Sequence, residues 1–124
     1  MSERPATLPK YLPNGRHAVV QRDKIRHYCL SMDSEEGAHK ARLWKAVAGF
    51  EAGHAAELQA TLIAAADRAE VNGWRLNRDG SASWQTRMTI RGRNGQHVTV
   101  QARWRTLVVG NAPRLTTAWP EKTV

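Results

Sequence analysis

The sequence predicts an α+β fold in which N-terminal helices pack on one face of a C-terminal twisted antiparallel sheet of three to four strands. Apolar side chains recur at helical spacing in residues 23–70 and at every second position in residues 82–120. The two patterns occupy separate blocks, which favours α+β over an alternating α/β architecture. Residues 1–22 hold three prolines and no lasting periodicity, so an extended lead-in is expected there. A length of 124 residues fits one domain, 1–124.

Three helices are expected in the N-terminal half, over residues 23–30, 38–48 and 53–70. Gly49 would end the second helix, because glycine readily adopts the left-handed conformation found at helix C-termini. The third helix is rich in alanine, and Leu58 and Leu62 lie on its apolar stripe. This stripe is expected to pack against the sheet.

A hairpin is expected over residues 83–91 and 98–106, where apolar and polar side chains alternate. A two-residue turn between them would leave apolar side chains on both faces of the sheet. A three-residue loop with Gly95 in a left-handed bulge instead pairs Ile90 with Val98. With this register one face of the hairpin becomes wholly apolar.

The other face of the hairpin is expected to be cationic and uncharged-polar, without a carboxylate. Its side chains are Gln85, Arg87, Thr89, Arg91, Thr99, Gln101, Arg103 and Arg105. A third strand over residues 114–119 is expected to place Leu115, Thr117 and Trp119 on one side and Arg114 and Thr116 on the other. A single exposed arginine also serves to keep strand edges from aggregating. The group of arginines nevertheless favours a binding surface.

The charge of the chain indicates a polyanionic or acidic partner. The sequence has 19 Lys and Arg against 11 Asp and Glu, a net charge of +8 and a pI near 10.6. Residues 76–124 carry eight of the basic and two of the acidic side chains. No apolar run reaches the roughly 18 residues of a membrane helix, and the N-terminus lacks the order of a signal peptide. We therefore expect a cytoplasmic protein without a membrane partner.

Several chemistries are missing from the sequence. It has no glycine-rich nucleotide-binding motif, no H-E-x-x-H motif and no paired acidic motif for two metal ions. The single cysteine, Cys29, excludes a thiolate zinc cluster and an intramolecular disulfide. The sequence therefore predicts no metal site and no cofactor.

Cleavage of RNA without metal needs a base for the 2′-hydroxyl and an acid for the leaving 5′-oxygen. His39 and Lys40 are the predicted pair, because histidine titrates near neutral pH and a helix start attracts phosphate. An ordinary surface histidine beside a helix lysine is the alternative. Arg87, Arg103 and Arg114 are expected to stabilise the charge that develops on the phosphorane.

Further residues are expected to hold the RNA in place. Thr116 and Thr117 offer hydroxyl groups near Arg114 and are grouped with the catalytic candidates, while Trp119 offers a ring on which bases stack. The predicted RNA-binding residues are Lys24, Arg26, Arg91, Arg105, Arg114 and Trp119.

Short motifs follow one another in a characteristic order over residues 12–120. They are Leu12-Pro13-Asn14, Lys24 with Tyr28 and Leu30, Gly37 with Lys40-Ala41, Gly49-Phe50, the glycine-containing hairpin, Trp104, and Pro113-Arg114-Leu115-Thr116-Thr117-Ala118-Trp119-Pro120. In order and spacing the series resembles a family of small bacterial toxin domains. Members of that family occur alone beside small partner genes and at the C-termini of contact-dependent inhibition proteins.

That family is similar to the barnase, EndoU, colicin and RelE group of folds, in which the open face of an antiparallel sheet cuts RNA without metal. The resemblance implies a ribonuclease toxin, and it assigns the matching polar positions to Lys24, Lys40, Thr116 and Thr117. It also implies a neutralising partner. An acidic antitoxin or immunity protein that covers the cationic face suits the basic pI.

The leading hypothesis is a metal-independent endoribonuclease that acts on transfer RNA or other cellular RNA and forms a 2′,3′-cyclic phosphate. His39 would be its base or its acid. The alternative is a non-catalytic nucleic-acid-binding or phage-associated adaptor protein that uses the same basic face. The sequence favours the enzyme and leaves the choice open.

Overall fold

A computed structural model describes residues 7–30, 35–107 and 111–121 of the chain. Residues 1–6 of the predicted lead-in lie outside the described residues. The rest of the lead-in contains a short 3-10 turn at Gly15–His17. It touches the sheet at two isolated bridges, where Tyr11 pairs with Glu70 and Val19 pairs with Arg114.

Among the described residues, three helices precede the sheet, as the apolar spacing predicts. Helix α1 covers Arg22–Lys24 and continues as a π-helical turn over Ile25–Cys29; α2 covers Glu35–Leu43 and continues as a π-helical turn over Trp44–Ala48; α3 covers Ala55–Ala66 after a 3-10 turn at Ala52–His54. Gly49 ends the second helical stretch with a φ of 76°. This left-handed conformation is the one for which the glycine was predicted.

The sheet has four antiparallel strands in the order β1-β2-β3-β4. They are β1 (Glu70–Leu76), β2 (Ala82–Arg91), β3 (His97–Thr106) and β4 (Arg114–Pro120). Apolar side chains from one sheet face and from the helices form a single buried cluster that includes Trp44, Leu58 and Trp104. The α+β class, with helices N-terminal to the sheet, is therefore confirmed.

The hairpin between β2 and β3 has the predicted register. Ile90 lies opposite Val98, and Trp84 lies opposite Trp104 on the same buried face. Gly95 has a φ of 85°, which glycine adopts without the steric cost that a side chain would bring. The loop length that keeps one face apolar therefore predicts the pairing that the structure has.

Strand β1 was not predicted, and helix α3 ends at Ala66 instead of residue 70. The segment Glu70–Leu76 contains Asn72 and Gly73, both of which are poor strand formers. The pairing of β1 with β2 also shifts between Val71 and Gly73. A bulge of this kind breaks the two-residue alternation on which strand prediction depends.

The faces of β4 also differ from the prediction, because of a second bulge. Arg103 pairs with Thr117 and Trp104 pairs with Leu115, so Thr116 is the extra residue between the two pairs. Leu115 is buried, whereas Thr117 lies on the face of Arg103. The prediction that Thr117 and Trp119 share a side with Leu115 is therefore wrong.

No helix in residues 7–30, 35–107 or 111–121 is long and apolar enough to cross a membrane.

Candidate functional site

The sheet surface that points away from the helices, here called the open face, carries polar side chains in rows across the strands. The rows are Glu70, Arg87, Gln101 and Trp119; Gly73, Gln85, Arg103 and Thr117; and Arg75, Ser83, Arg105 and Arg114. Residues on neighbouring strands that share a row lie about 4.5–5.5 Å apart. The open face therefore brings together several residues that the sequence analysis selected separately.

Helix α2 and the π-helical turn that continues it are fixed against β4, at the edge of the sheet. The indole Nε1 of Trp44 donates a 3.2 Å hydrogen bond to the backbone oxygen of Ala118, and this contact is buried. Lys40 lies four positions before Trp44 and so projects from the same side of the helix. The anchor at Trp44 thereby places Lys40 beside β4.

The ammonium group of Lys40 donates a 3.1 Å hydrogen bond to Oγ1 of Thr117. Thr117 faces this way because the bulge at Thr116 rotates it out of the core and onto the open face. Thr116 itself donates its hydroxyl to the backbone oxygen of Arg103 at 3.1 Å, so it stabilises the bulge. Of the two predicted threonines, only Thr117 contacts Lys40.

Two cations lie close to the ring of Trp119. Nζ of Lys40 is 5.2 Å from the centre of the ring, and Cζ of Arg103 is 5.6 Å from it. Both distances are within the roughly 6 Å over which a cation is attracted to an indole face. Lys40, Arg103, Thr117 and Trp119 together are called the Trp119 cluster below.

Beside the cluster lies a carboxylate that the sequence analysis missed. Glu121 accepts a 3.0 Å hydrogen bond from Arg87 and a 2.7 Å hydrogen bond from Gln101, the residue that pairs with Trp119. The hydrogen bond from Gln101, with that from Arg87 and its charge, holds the pKa of Glu121 below its usual value. The polar face of the hairpin itself carries no carboxylate, but the neighbouring strands bring Glu70 and Glu121 to the open face, and Arg87 is ion-paired with Glu121.

Arg105 is likewise paired with a carboxylate. Its guanidinium contacts the carboxylate of Asp79 and donates a 3.0 Å hydrogen bond to the hydroxyl of Ser81. Hydrogen bonds from Ser81, and then the charge of Arg105, keep the pKa of Asp79 below its usual value. Asp79 sits in the turn after β1, which was not predicted, so nothing in the sequence pattern placed it beside Arg105.

The remaining candidates lie apart from the Trp119 cluster. His39 is exposed on α2, and no contact in the described part of the chain joins it to the cluster. Arg26 is exposed in the π-helical turn that continues α1, and Lys24 is half-buried at the end of α1. Arg91 is exposed opposite His97 at the hairpin end of the sheet, and Arg114 is exposed opposite Arg105. The structure therefore gathers four of the predicted residues at one place.

Cys29 lies behind the cluster, inside the core. Burial raises the pKa of its thiol to about 11, although the backbone N–H of Ala118 and the charge of Lys40 both act in the opposite direction. Such a thiol stays protonated at neutral pH and is a poor nucleophile. Within the described ranges, no group of three or more His, Cys, Asp and Glu side chains is arranged to hold a metal ion.

Comparison with curated proteins and with solved structures finds no match. A family model does match, and it covers residues 11–122, which include all four strands and the whole Trp119 cluster. By this match the chain belongs to the family described as Domain of unknown function (DUF6883).

Proposed function

We propose that the protein is a metal-independent endoribonuclease toxin whose site is the Trp119 cluster. The observation that supports this most strongly is the contact of Lys40 with Thr117 beside the ring of Trp119. Two cations and a hydroxyl group can hydrogen-bond a phosphate, and an indole ring can stack on a nucleotide base. RNA presents both groups in every nucleotide.

The proposed reaction is transesterification within the RNA. The 2′-oxygen attacks the phosphorus, the bond from phosphorus to the 5′-oxygen breaks, and the products are a 2′,3′-cyclic phosphate and a 5′-hydroxyl. The 2′-hydroxyl gives up one proton and the leaving 5′-oxygen takes one, so neither water nor an oxidant is consumed. In this scheme Lys40 and Arg103 stabilise the charge on the phosphorane.

Two side chains compete for the role of general base. Glu121 is a carboxylate beside Gln101, next to Trp119, and an ionised carboxylate accepts a proton. His39 neighbours Lys40 in sequence, but its exposed side chain makes no hydrogen bond or ion pair with the cluster among the described residues. The geometry supports Glu121 as the base, and Lys40, a hydrogen-bond donor, as the group facing the leaving oxygen. His39 stays a prediction from the sequence.

The partners follow from charge and from the resemblance to toxin domains. A net charge of +8 favours RNA, including transfer RNA, as the substrate. The same charge favours an acidic antitoxin or immunity protein that neutralises the toxin by covering the open face. Such a partner would hide Lys40 and Trp119 from the substrate.

A second candidate is a nucleic-acid-binding or phage-associated adaptor protein without catalysis. The ring of Trp119 close to Lys40 and Arg103 favours it, because an aromatic ring and nearby cations bind single strands without any chemistry. Glu121, a candidate general base, is also engaged in an ion pair with Arg87, which favours a protein without catalysis.

One experiment separates the two candidates. Purified protein is incubated with total bacterial RNA in EDTA, and the fragment ends are analysed. The ribonuclease proposal predicts discrete fragments with 2′,3′-cyclic phosphate and 5′-hydroxyl ends. RNA that stays intact but shifts on a native gel would support the binding protein and contradict the enzyme.

A further inference from the structure

A hollow of about 250 Å³ opens on the open face at strand β1. It is lined by Gly73, Trp74, Arg75, Ser83, Gln85 and Arg103. Gly73 begins the row that ends at Thr117, and it is the one position of that row without a side chain. A Cβ atom at Gly73 would lie 3.3 Å from Cβ of Gln85, which is a tight contact. Gly73 therefore lines the hollow at a place where a side chain would crowd Gln85.

The polar groups around the hollow include both donors and an acceptor. Arg75 and Arg103 contribute guanidinium donors. The amide nitrogen of Gln85 is already used, because it donates a 3.3 Å hydrogen bond to Gln101. Its amide oxygen has no partner among the described residues and stays available as an acceptor. The edge of a nucleotide base carries the complementary donors and acceptors, and side chains of these types read bases.

Arg103 connects the hollow with the Trp119 cluster. It lines the hollow, and its guanidinium lies 5.6 Å from the centre of the Trp119 ring. The row from Gly73 to Thr117 crosses three strand spacings, or about 14 Å. That length is several times the 3.4 Å rise per nucleotide of a stacked strand. A strand that reaches from the hollow to Trp119 therefore spans a few nucleotides, and Arg103 borders both places.

We propose that the hollow is a base-binding subsite, which takes the base of a nucleotide within a few positions of the one stacked on Trp119. The inference rests on the proposed function, since it concerns the same RNA and the same open face. A volume of about 250 Å³ is below the roughly 300–1,000 Å³ of pockets for drug-sized ligands. It suits one base better than a complete nucleotide.

The test combines protein variants that fill the hollow with RNA probes that each lack one base. Gly73→Val adds carbon atoms inside the hollow, and valine is a good strand residue. Gly53→Val is the matched control, because a Cβ atom at Gly53 meets nothing within 4 Å. Gly73→Ala is a smaller step in case the valine variant fails to fold. The probe is a labelled 2′-O-methyl oligoribonucleotide, which cannot be cut, in versions that each lack one base.

Binding is measured by fluorescence anisotropy in EDTA, after thermal melting has shown that each variant is folded. With wild type and with Gly53→Val, loss of one particular base should weaken binding about tenfold, the effect of one base-reading contact. With Gly73→Val, removing that base should leave the affinity unchanged, because the valine side chain already keeps the base out of the hollow.

The two ways to fail are distinct. If wild type binds RNA, and Gly73→Val responds to every missing base as wild type does, the subsite is wrong and the proposed function stands. If wild type binds none of the oligonucleotides, the proposed function is wrong and the subsite with it.

Discussion

Lys40 and Thr117 are 77 positions apart in the sequence, yet the ammonium group of Lys40 donates a 3.1 Å hydrogen bond to the hydroxyl of Thr117. Two local features produce this contact. Trp44 anchors α2 to Ala118, and the bulge at Thr116 turns Thr117 outward. A helix and an edge strand thereby share one polar site at the border of the open face.

Trp119→Ala should weaken the binding of single-stranded RNA by about 5- to 150-fold, since stacking contributes roughly 1–3 kcal/mol per base. Trp119→Phe keeps a ring and should retain most of the affinity. The salt dependence of binding should stay as in wild type for both variants, because no charge is removed. Affinity that is equal in Trp119→Ala and wild type would contradict a stacking role.

Glu121→Gln should lower the melting temperature at pH 7, and this effect should fade as the pH falls below the unfolded pKa of about 4.3 and through the folded-state pKa. The folded-state pKa of Glu121 is below the unfolded value, owing to Gln101 and Arg87. The carboxylate therefore stabilises the fold above the unfolded pKa of about 4.3, and this contribution disappears as the pH falls through the folded pKa.

Glu70→Gln is the matched control for this pH series. Glu70 is exposed, and its carboxylate makes no hydrogen bond or ion pair in the described part of the chain. The melting temperature of the Glu70→Gln variant should equal that of wild type at every pH. Equal pH profiles for Glu121→Gln and Glu70→Gln would show that the contacts of Glu121 contribute nothing.

Trp104→Phe should destabilise the protein by about 1–3 kcal/mol in urea unfolding, and Trp74→Phe by less. The indole Nε1 of Trp104 donates a 2.8 Å hydrogen bond to buried Thr86, whose hydroxyl would lose a partner. The indole Nε1 of Trp74 is buried without a hydrogen-bond partner among the described residues, so its removal costs no such bond. A larger loss of stability for Trp74→Phe than for Trp104→Phe would contradict this assignment.

Cys29 should resist alkylation in the native protein at pH 8. Its thiol is buried, and its pKa of about 11 leaves little thiolate to react. In urea the same thiol should react at the rate of a free cysteine. Rapid labelling by iodoacetamide under native conditions would show that the core around Cys29 opens easily.

The fold could be predicted where the pattern is regular. The hairpin register followed from Gly95 and from the need for one apolar face, and α3 followed from the stripe through Leu58 and Leu62. β1 could not be predicted, because Asn72 and Gly73 interrupt its pattern with a bulge. Bulges depend on pairing with another strand, which a local pattern does not reveal.

The sequence predicted which residues form the site, but it did not predict how they come together. Lys40, Arg103, Thr117 and Trp119 were all selected from the sequence, but their meeting depends on the bulge in β4 and on the anchor at Trp44. The ion pair of Glu121 with Arg87 was missed, because it joins the end of β4 to a strand two positions away in the sheet. Contacts between distant strands follow from topology, which the residue pattern alone does not fix.

The most direct test of the central claim compares Lys40→Ala with Lys45→Ala in RNA cleavage in EDTA. Lys45 belongs to the same helical stretch, but it pairs with Glu51 at 3.3 Å, away from the Trp119 cluster. Lys40→Ala should cut RNA about 100- to 1,000-fold more slowly, the usual effect of losing one group that stabilises the transition state. Lys45→Ala should cut at nearly the wild-type rate. Equal rates for the two variants would contradict the assignment of the site to Lys40 and the Trp119 cluster.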